Sequence, residues 1–269
     1  MPVRVFTFAI DLYPLRASSV MEDRSGPAGV RLNRFIGEAG VASRRAADRM
    51  IEEGRVTLNG RPAVLGDRVL PGDEVRVDGE PVSKEEEDIV IAYYKPAGVT
   101  CTSSPDDPDN VIDRIGHHKR IYSIGRLDKD SEGLLLLTNN GRLADGIMRS
   151  RAGHEKEYIV RVDREVTPAF VAGMAAGVPI LGDRVTRRCV VEKTGDREFR
   201  IVLTQGLNRQ IRRMCGHFGY GVTRLIRVRV MNITLEGLRP GGCRDIAAAE
   251  RAELQRLLGE GPGHGGPGR

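Results

Sequence analysis

The stretch "GRLDKDSEGLLLLTN", residues 125–139, sets a charged turn directly against four consecutive leucines. Leu134–Leu137, which Gly133 precedes and Asn139-Asn140-Gly141 follow, is typical of a short strand buried on both faces. The residues before it therefore form a loop anchored on a rigid element, which is a favoured position for catalytic groups. A solvated turn with no function beyond preceding the strand is the alternative that this stretch alone leaves open.

The composition is that of a globular protein with a slight basic excess. The 269 residues are 40% hydrophobic, and 42 Lys plus Arg face 37 Asp plus Glu, for a net charge of +5 and a pI of about 9.2. This balance permits a nucleic-acid partner without requiring one. No apolar run approaches the roughly 20 residues of a membrane span, and Asp11 interrupts the short N-terminal "VFTFAI". We predict a cytoplasmic protein with no membrane partner.

The sequence carries no signature of a metal or a nucleotide cofactor. Cys101, Cys189, Cys215 and Cys243 are far apart, form no C-x-x-C pair and stand at no ligand spacing from the five histidines. No phosphate-binding glycine motif, G-x-x-x-x-G-K-[ST] or strand-linked G-x-G-x-x-G, is present. The cysteines are predicted to be reduced thiols, and the chemistry is predicted to need neither a metal nor another cofactor.

Residues 30–82 predict a small module of two helices and antiparallel strands, preceded by a flexible extension over residues 1–29. Leu32, Phe35, Ile36 and Ala39 form the apolar stripe of a helix closed by Gly40. Ser43 is a suitable N-cap for a second helix that Gly54 ends, and alternating residues with Asn-Gly and Pro-Gly-Asp turns follow. Arginines cluster on the two helices and predict a footprint for a phosphate backbone, with a solvated helix surface as the alternative: Arg31, Arg34, Arg44, Arg45 and Arg49.

The polar segment 83–88 predicts a linker, and residues 89–258 predict a larger α+β domain on a mainly antiparallel sheet. Its predicted strands are at "IVIAYYKPAG" and at 134–138, 157–162 and 199–203, and its predicted helices are around 143–149, 168–176 and 209–218. The Gly/Pro-rich residues 259–269 predict a disordered tail.

Residues 206–230 hold six arginines and no acid, which points to phosphates or carboxylates nearby. On a helix N-capped by Asn208, the predicted buried stripe is Ile211, Met214, Cys215 and Phe218. Three arginines then share an adjoining face, from which one is able to pair with a catalytic acid: Arg209, Arg212 and Arg213.

Two resemblances give these patterns a function. "RLNRFIGEAGVASRRAADRMIEEGRVTLNG" with "GDRVLPGDEVRV" resembles the αL-type RNA-binding domain first known from a small-subunit ribosomal protein. "KPAG" (95–98), "GRLDKDSEGLLLLTN" (125–139), "KEY" (156–158) and "GLNRQIRRM" (206–214) resemble the RNA pseudouridine synthases in order and style. The two together resemble the branch that modifies ribosomal RNA, and "HEKEYIV", "GVPILG" and "RVMNITLEGL" are most similar to its large-subunit subfamily of type F.

The resemblance implies the roles of the site residues. Asp128 matches the catalytic aspartate, which acts as nucleophile toward the sugar or base, or removes a sugar proton. Tyr158 matches the tyrosine that stacks on the flipped uracil, and Arg212 matches the arginine that pairs with the aspartate. The remaining expectations are apolar packing by Ile211, a hold on the loop or nucleotide by Arg126, and substrate contacts from Lys95, Lys156, Arg209 and Arg213, with Asp130 structural or close to the RNA.

The implied substrate is ribosomal RNA, with large-subunit (23S) RNA preferred and transfer RNA as a further candidate. The enzyme is predicted to be a monomer, and an assembling ribosomal particle is a further candidate partner.

Two other interpretations are open. A glycosidase also uses paired acids, as in Asp128 and Asp130, but the arginines favour a polyanion over a neutral sugar. A non-catalytic ribosome-assembly factor shares the basic module, but it has no need of Asp128, Tyr158 and Arg212 together.

Overall fold

The computed structural model describes residues 29–83, 88–104, 106–148, 153–182 and 184–259. The predicted N-terminal extension and C-terminal tail, apart from one residue of each, and residues 84–87 of the predicted linker lie outside these ranges. None of the helices in the described ranges combines the length and the apolar character that crossing a membrane requires.

The described residues form an N-terminal module and a larger domain. The module contains β1 (Val30–Arg31), α1 (Leu32–Glu38), α2 (Arg44–Glu52), β2 (Val56–Leu58), β3 (Arg61–Pro62), β4 (Arg68–Val69), β5 (Val75–Val77) and β6 (Glu80–Pro81). The larger domain begins with β7 (Val90–Lys95), α3 (Val111–Ile115), β8 (Tyr122–Ile124), β9 (Glu132–Thr138), α4 (Gly141–Met148), β10 (Lys156–Val162), α5 (Pro168–Ala176), β11 (Pro179–Ile180) and β12 (Arg184–Val185). It continues with β13 (Val190–Gly195), β14 (Glu198–Leu203), α6 (Gln210–His217), β15 (Val222–Val230), β16 (Ile233–Thr234), β17 (Cys243–Asp245) and α7 (Ala248–Leu257).

The N-terminal module buries one face of each helix against a small sheet of order β3-β2-β5-β6. The Ser43 side chain accepts a hydrogen bond from the backbone amide of Ala46, so the predicted N-cap of α2 is confirmed. Ile36 and Ala47 are fully buried where the two helices meet, and they share a core with Val56 and Val75 of the sheet. This core leaves the basic residues of both helices on the outside of the module.

The larger domain is built on a nine-stranded sheet of order β13-β14-β10-β15-β9-β7-β17, with β16 added beside β15 and β8 beside β9. All of its pairings are antiparallel except the one between β15 and β9, which is parallel. The predicted α+β class on a mainly antiparallel sheet is therefore confirmed. The parallel pair lies at the centre of the sheet, where the loop at 125–131 leads into β9.

The four leucines of β9 are buried on both faces of the sheet, as their sequence predicts. Leu134 and Leu136 pack in one cluster with Leu143 of α4 and Leu254 of α7. Leu135 and Leu137 pack on the opposite face, in the cluster that contains Val111 of α3. Because successive side chains of a strand point to opposite faces, the run of leucines joins two cores. The loop before it is consequently attached to a strand that is packed on both faces.

Several elements of the larger domain are absent from the sequence prediction, among them α3 and α7, and two differences lie at the site. The expected N-cap Asn208 is wrong: α6 begins after Arg209, whose backbone is left-handed (φ 49°) and whose side chain makes no capping hydrogen bond. The sequence does not predict the strand β15, because the arginines in "VTRLIRVRV" indicate anion binding and obscure the alternation of apolar and polar residues.

The module and the larger domain touch along α1. The Arg120 guanidinium donates a 3.3 Å hydrogen bond to the carbonyl of Gly37, and Arg34 lies 3.6 Å from the carboxylate of Asp145. Arg34 also pairs with Glu38 at 2.6 Å. Arg34 is therefore only 30% exposed, and its ion pairs with Glu38 and Asp145 place it at the junction of the module and the larger domain.

Candidate active site

A cleft of about 820 Å³ opens in front of the loop at 125–131. Its lining comes from the loop, from β10 and β15, and from the segment 205–212 that leads into α6. The carboxylate of Asp128 is 33% exposed at this cleft, so it is reachable by a substrate while its backbone is anchored to β9. A carboxylate so held suits nucleophilic or proton-transfer chemistry.

Backbone hydrogen bonds fix the conformation of the loop. The amide of Ser131 donates to the carbonyl of Asp128 at 3.0 Å, and the amide of Gly98 donates to the carbonyl of Lys129 at 2.7 Å. The ammonium group of Lys95 donates to the carbonyls of Pro96, at 2.9 Å, and of Lys129, at 3.4 Å. These contacts tie the loop to the end of β7.

The structure places Lys95 away from the cleft surface at which the predicted substrate contact would form. Its side chain is fully buried and does not line the cleft. Burial lowers the pKa of the Lys95 ammonium, while nearby acidic groups partly oppose that shift. Lys95 is a structural cation beneath the loop, where its charge stabilises the backbone carbonyls that it contacts.

Arg212 contacts the loop, but through a different acid from the one predicted. Its guanidinium lies 3.2 Å from the Asp130 carboxylate and donates to the Asp130 carbonyl at 3.1 Å and to the Ser131 hydroxyl at 3.4 Å. The arginine in ion-pair range of Asp128 is Arg209, at 3.6 Å. The predicted pairing of Arg212 with Asp128 is thus corrected to a pairing with Asp130.

Asp130 links the loop to α6 by charge. Arg209 and Arg212 both contact its carboxylate, at 3.1 and 3.2 Å. Burial alone raises the pKa of Asp130, but the hydrogen bond from Arg209 and the charges of both arginines outweigh it and hold the pKa below the usual range. Asp130 therefore remains ionised near neutral pH and draws both guanidinium groups to the mouth of the cleft.

Tyr158, Ile211 and Lys156 line the cleft. Tyr158 is half-buried on β10, and Ile211 is 4% exposed on the first turn of α6. Together they give the cleft an apolar wall suited to a flat base. Burial lowers the pKa of the Lys156 ammonium, and the nearby charge of Arg227 lowers it further.

The other two predicted contacts divide. Arg126 is exposed and lines the cleft. Arg213 does not line it: its guanidinium donates to the carbonyl of Asn208 at 3.0 Å and to the side-chain oxygen of Asn208 at 3.1 Å. Arg213 is exposed and its hydrogen bonds support the turn before α6, so the substrate contact predicted for it stays a prediction.

Among the cleft residues that the sequence did not single out, Gln205 and Arg227 carry unpaired polar atoms. Arg227 is 4% exposed and carries a buried Nη2 with no hydrogen-bond partner among the described residues, and Gln205 has an equally unpaired Nε2. Arg227 was visible only as one of six arginines in 206–230, and nothing in the pattern distinguished a buried arginine from an exposed one.

A second, basic surface lies at the junction of the two domains. A groove of about 600 Å³ is lined by Asp145 and by five arginines: Arg31, Arg34, Arg44, Arg68 and Arg142. Four of the five arginines predicted for RNA binding are exposed and make no ion pair with a described residue: Arg31, Arg44, Arg45 and Arg49. Such a surface suits a phosphate backbone.

An anchored, reachable carboxylate beside a basic cleft, joined to a small module with exposed arginines, defines an enzyme that acts on nucleic acid. Comparison with known proteins makes the class specific. Residues 89–217 match the family model described as RNA pseudouridylate synthase, and residues 30–75 match the S4 domain.

Whole-chain similarity agrees with these matches. The chain is 52% identical to the dual-specificity RNA pseudouridine synthase RluF of Escherichia coli K12 over 233 residues, covering 86% of this chain and 80% of that protein. It is 37% identical to the ribosomal large subunit pseudouridine synthase B of the same organism over 241 residues, covering 85% and 83%. A crystal structure of a pseudouridylate synthase superposes with a TM-score of 0.61 at 27% identity, over 85% of this chain and all of that one.

The chain belongs to the family of RNA pseudouridine synthases that carry an N-terminal S4 domain. The predicted relationship to the type F subfamily is confirmed by the similarity to RluF. This membership favours an enzyme over the non-catalytic assembly factor, which the sequence alone left open.

Proposed function

We propose that this enzyme converts a uridine of large-subunit ribosomal RNA to pseudouridine, with Asp128 as its catalytic residue. The observation that carries the proposal is the reachable carboxylate of Asp128 on a rigid loop, at a cleft whose walls include Tyr158 and Ile211. The similarity to the large-subunit synthase B supports the choice of RNA. The dual specificity in the name of RluF supports a second RNA substrate, for which transfer RNA is the first candidate.

The reaction requires a uridine that has left its stack, because Asp128 lies inside a cleft that a stacked base does not enter. Tyr158 stacks on the flipped uracil and Ile211 packs beside it. Asp128 acts on the ribose or the base as nucleophile, or removes a sugar proton, while uracil is detached at N1 and rejoined through C5. Arg209 and Arg212 hold the loop and give the mouth of the cleft a positive charge that suits the flanking phosphates.

The proposal includes a monomeric enzyme that works in the cytoplasm, where ribosomal RNA is available both free and in assembling particles. Transcripts of large-subunit ribosomal RNA, transfer RNA and a pre-ribosomal particle are therefore the three substrates to compare. Pseudouridine is mapped in each by a chemical adduct that stops reverse transcription. A site-specific stop in the large-subunit RNA is the expected result. A stop in transfer RNA alone would contradict the proposed substrate, and release of free uracil would favour the glycosidase.

The exposed arginines of α2 are expected to bind RNA phosphates, so their removal should weaken binding and reduce its salt dependence. Replacing Arg44, Arg45 and Arg49 together by glutamine removes three positive charges that pair with no described acid. Since each phosphate contact contributes about 0.7 to 0.9 to the slope of log affinity against log salt, the slope should fall by about 2 in magnitude. Fluorescence titration at several salt concentrations measures it.

The matched control removes three arginines that are already ion-paired within the same module. Arg55, Arg61 and Arg76 lie 2.6 to 2.9 Å from Asp78, Asp67 and Glu74. Their joint replacement by glutamine changes the net charge equally but should change the salt slope by less than about 1. Equal losses in the two triple variants would contradict a phosphate footprint on α2 and indicate a general charge effect.

A further inference from the structure

Buried polar atoms without a partner are concentrated in the active-site cleft. Among the described residues six side-chain atoms are buried and make no hydrogen bond, and four of them belong to residues that line the cleft: Thr100 Oγ1, Gln205 Nε2, Arg212 Nε and Arg227 Nη2. A buried polar atom without a partner is costly, and a native fold contains few of them. Their concentration in one cleft indicates groups that a ligand satisfies.

Arg227 has the most unusual environment of the four. Its Nε donates to the carbonyl of Leu134 at 2.7 Å, which leaves Nη2 unpaired inside the cleft wall. The two arginines beside it on β15 each have a carboxylate, since Arg224 lies 2.7 Å from Glu132 and Arg229 lies 2.8 Å from Glu157. No described acid lies in ion-pair range of Arg227, although it is 4% exposed.

The position of Arg227 places its side chain beside the expected base. In the antiparallel register of β10 and β15, Arg227 is the partner of Tyr158, and both residues line the cleft. Lys156, two residues before Tyr158, also lines the cleft, and the pKa of its ammonium is lowered by burial and by the charge of Arg227. Two cations therefore share this part of the cleft, where a buried charge without a partner is unfavourable until an anionic group enters.

We infer that Arg227 binds an oxygen of the flipped uracil through Nη2 and stabilises the negative charge that the base acquires when it is detached. This inference rests on the proposed function, because it assigns the group that Arg227 contacts in the same cleft. Gln205 supplies a second donor for the base.

The chemistry of the reaction explains why a cation is needed there. When the N1–C1′ bond breaks, its electron pair remains on uracil, and the charge is shared by N1, O2 and O4. Turning the base about the line through N3 and C6 exchanges N1 with C5 and O2 with O4. A donor that holds one oxygen before the turn is thus able to hold the other after it. C5 then bonds to C1′, loses its proton, and N1 takes up a proton, so the atoms balance without a co-reactant.

The test is the single-turnover rate of Arg227→Gln and Arg227→Lys on the large-subunit transcript, beside the dissociation constant for the same RNA. Loss of one donor at developing charge typically slows the chemical step by about 10²- to 10³-fold, and this is the result expected for Arg227→Gln. Arg227→Lys keeps the charge and should recover at least about tenfold of that loss. Binding should change by less than about threefold, because Arg227 acts on charge that develops after binding.

Arg229→Gln is the matched control, because it removes an arginine from the same strand that is paired with Glu155 and Glu157 outside the cleft. Circular dichroism measures the fraction of Arg229→Gln that is folded. The rate of the variant, corrected for that fraction, should equal the wild-type rate. A second substrate carries 5-fluorouridine at the target, where fluorine itself stabilises the uracil anion. The rate at which 5-fluorouridine disappears from nuclease digests should depend less on Arg227 than the rate of uridine conversion does. A purely structural defect would slow the two reactions equally.

The outcomes separate the two proposals. A wild-type enzyme without turnover on any of the three RNA substrates would contradict the proposed function and the inference together. A normal wild-type enzyme with Arg227→Gln at the same rate would contradict the inference alone. The inference would also be contradicted if Arg227→Gln and Arg227→Lys were slowed equally, and if each were slowed equally on uridine and on 5-fluorouridine. That pattern would indicate that Arg227 has only a structural role.

Discussion

Asp128→Asn is expected to abolish pseudouridine formation, with a loss of at least about 10⁴-fold in single-turnover rate, while RNA binding stays within about threefold. Asparagine has the same shape, but its amide is neither a nucleophile of useful strength nor a base. The change should leave the loop intact, because the hydrogen bond from Ser131 to residue 128 uses the backbone carbonyl. The side chain of Asp128 is 33% exposed, and its carboxylate lies 3.6 Å from the guanidinium of Arg209.

Primer-stop mapping on the large-subunit transcript measures the rate, and an electrophoretic shift measures binding. The melting temperature confirms that the variant is folded. Retained turnover in a folded Asp128→Asn enzyme would contradict the catalytic assignment. Loss of binding in parallel with turnover would indicate instead that Asp128 acts only by holding the RNA.

Asp130→Asn is the matched control, because Asp130 lies two residues further along the same loop and also contacts Arg209. It holds the arginines rather than the substrate, so its loss should slow the reaction by no more than about 10²-fold, as expected for misplaced groups. If Asp130→Asn were the inactive variant and Asp128→Asn the active one, the two carboxylates would have to exchange roles.

The strands and helices that frame the site follow from local sequence. The four leucines of β9 alternate between two cores, and such a run between turn residues is typical of a strand covered on both faces. The buried stripe of α6 was equally readable, since Ile211, Met214 and Cys215 recur at helical spacing and are buried. In both elements the burial pattern is set by periodicity, which a sequence displays directly.

The pairing of charges in the site was not predictable in the same way. Arg212 contacts Asp130 across 82 positions of the chain, and the resemblance to the family indicated Asp128 instead. Which of two acids in one loop meets an arginine depends on the relative placement of β9 and α6, to within a few ångströms. Similarly, the arrangement of the strands buries Lys95 beneath the loop and places Arg227 in the wall of the cleft. The sequence around each residue does not reveal these positions.

Gly133→Ala is expected to destabilise the larger domain by about 3 to 5 kcal/mol, since it combines backbone strain with overpacking. Gly133 has φ +108°, which residues with a Cβ rarely adopt. A Cβ at this position would lie 2.6 Å from the backbone nitrogen of Arg227, and closer still to its carbonyl oxygen. Because β9 and β15 pair through Gly133 and Arg227, neither strand is able to yield without disturbing the centre of the sheet.

Two further glycines separate strain from overpacking in the same urea denaturation series. Gly237 has φ +77° but open space where a methyl group would lie, so Gly237→Ala should cost only about 1 kcal/mol. Gly216 lies in α6 with a helical backbone and open space, so Gly216→Ala should be neutral or stabilise by up to about 1 kcal/mol. A Gly133→Ala variant no less stable than Gly237→Ala would show that β15 is able to move away from β9. In that case the close contact between Gly133 and Arg227 would not be what holds the start of β9 in place. The loop of Asp128, which leads into β9, would then be positioned by other contacts.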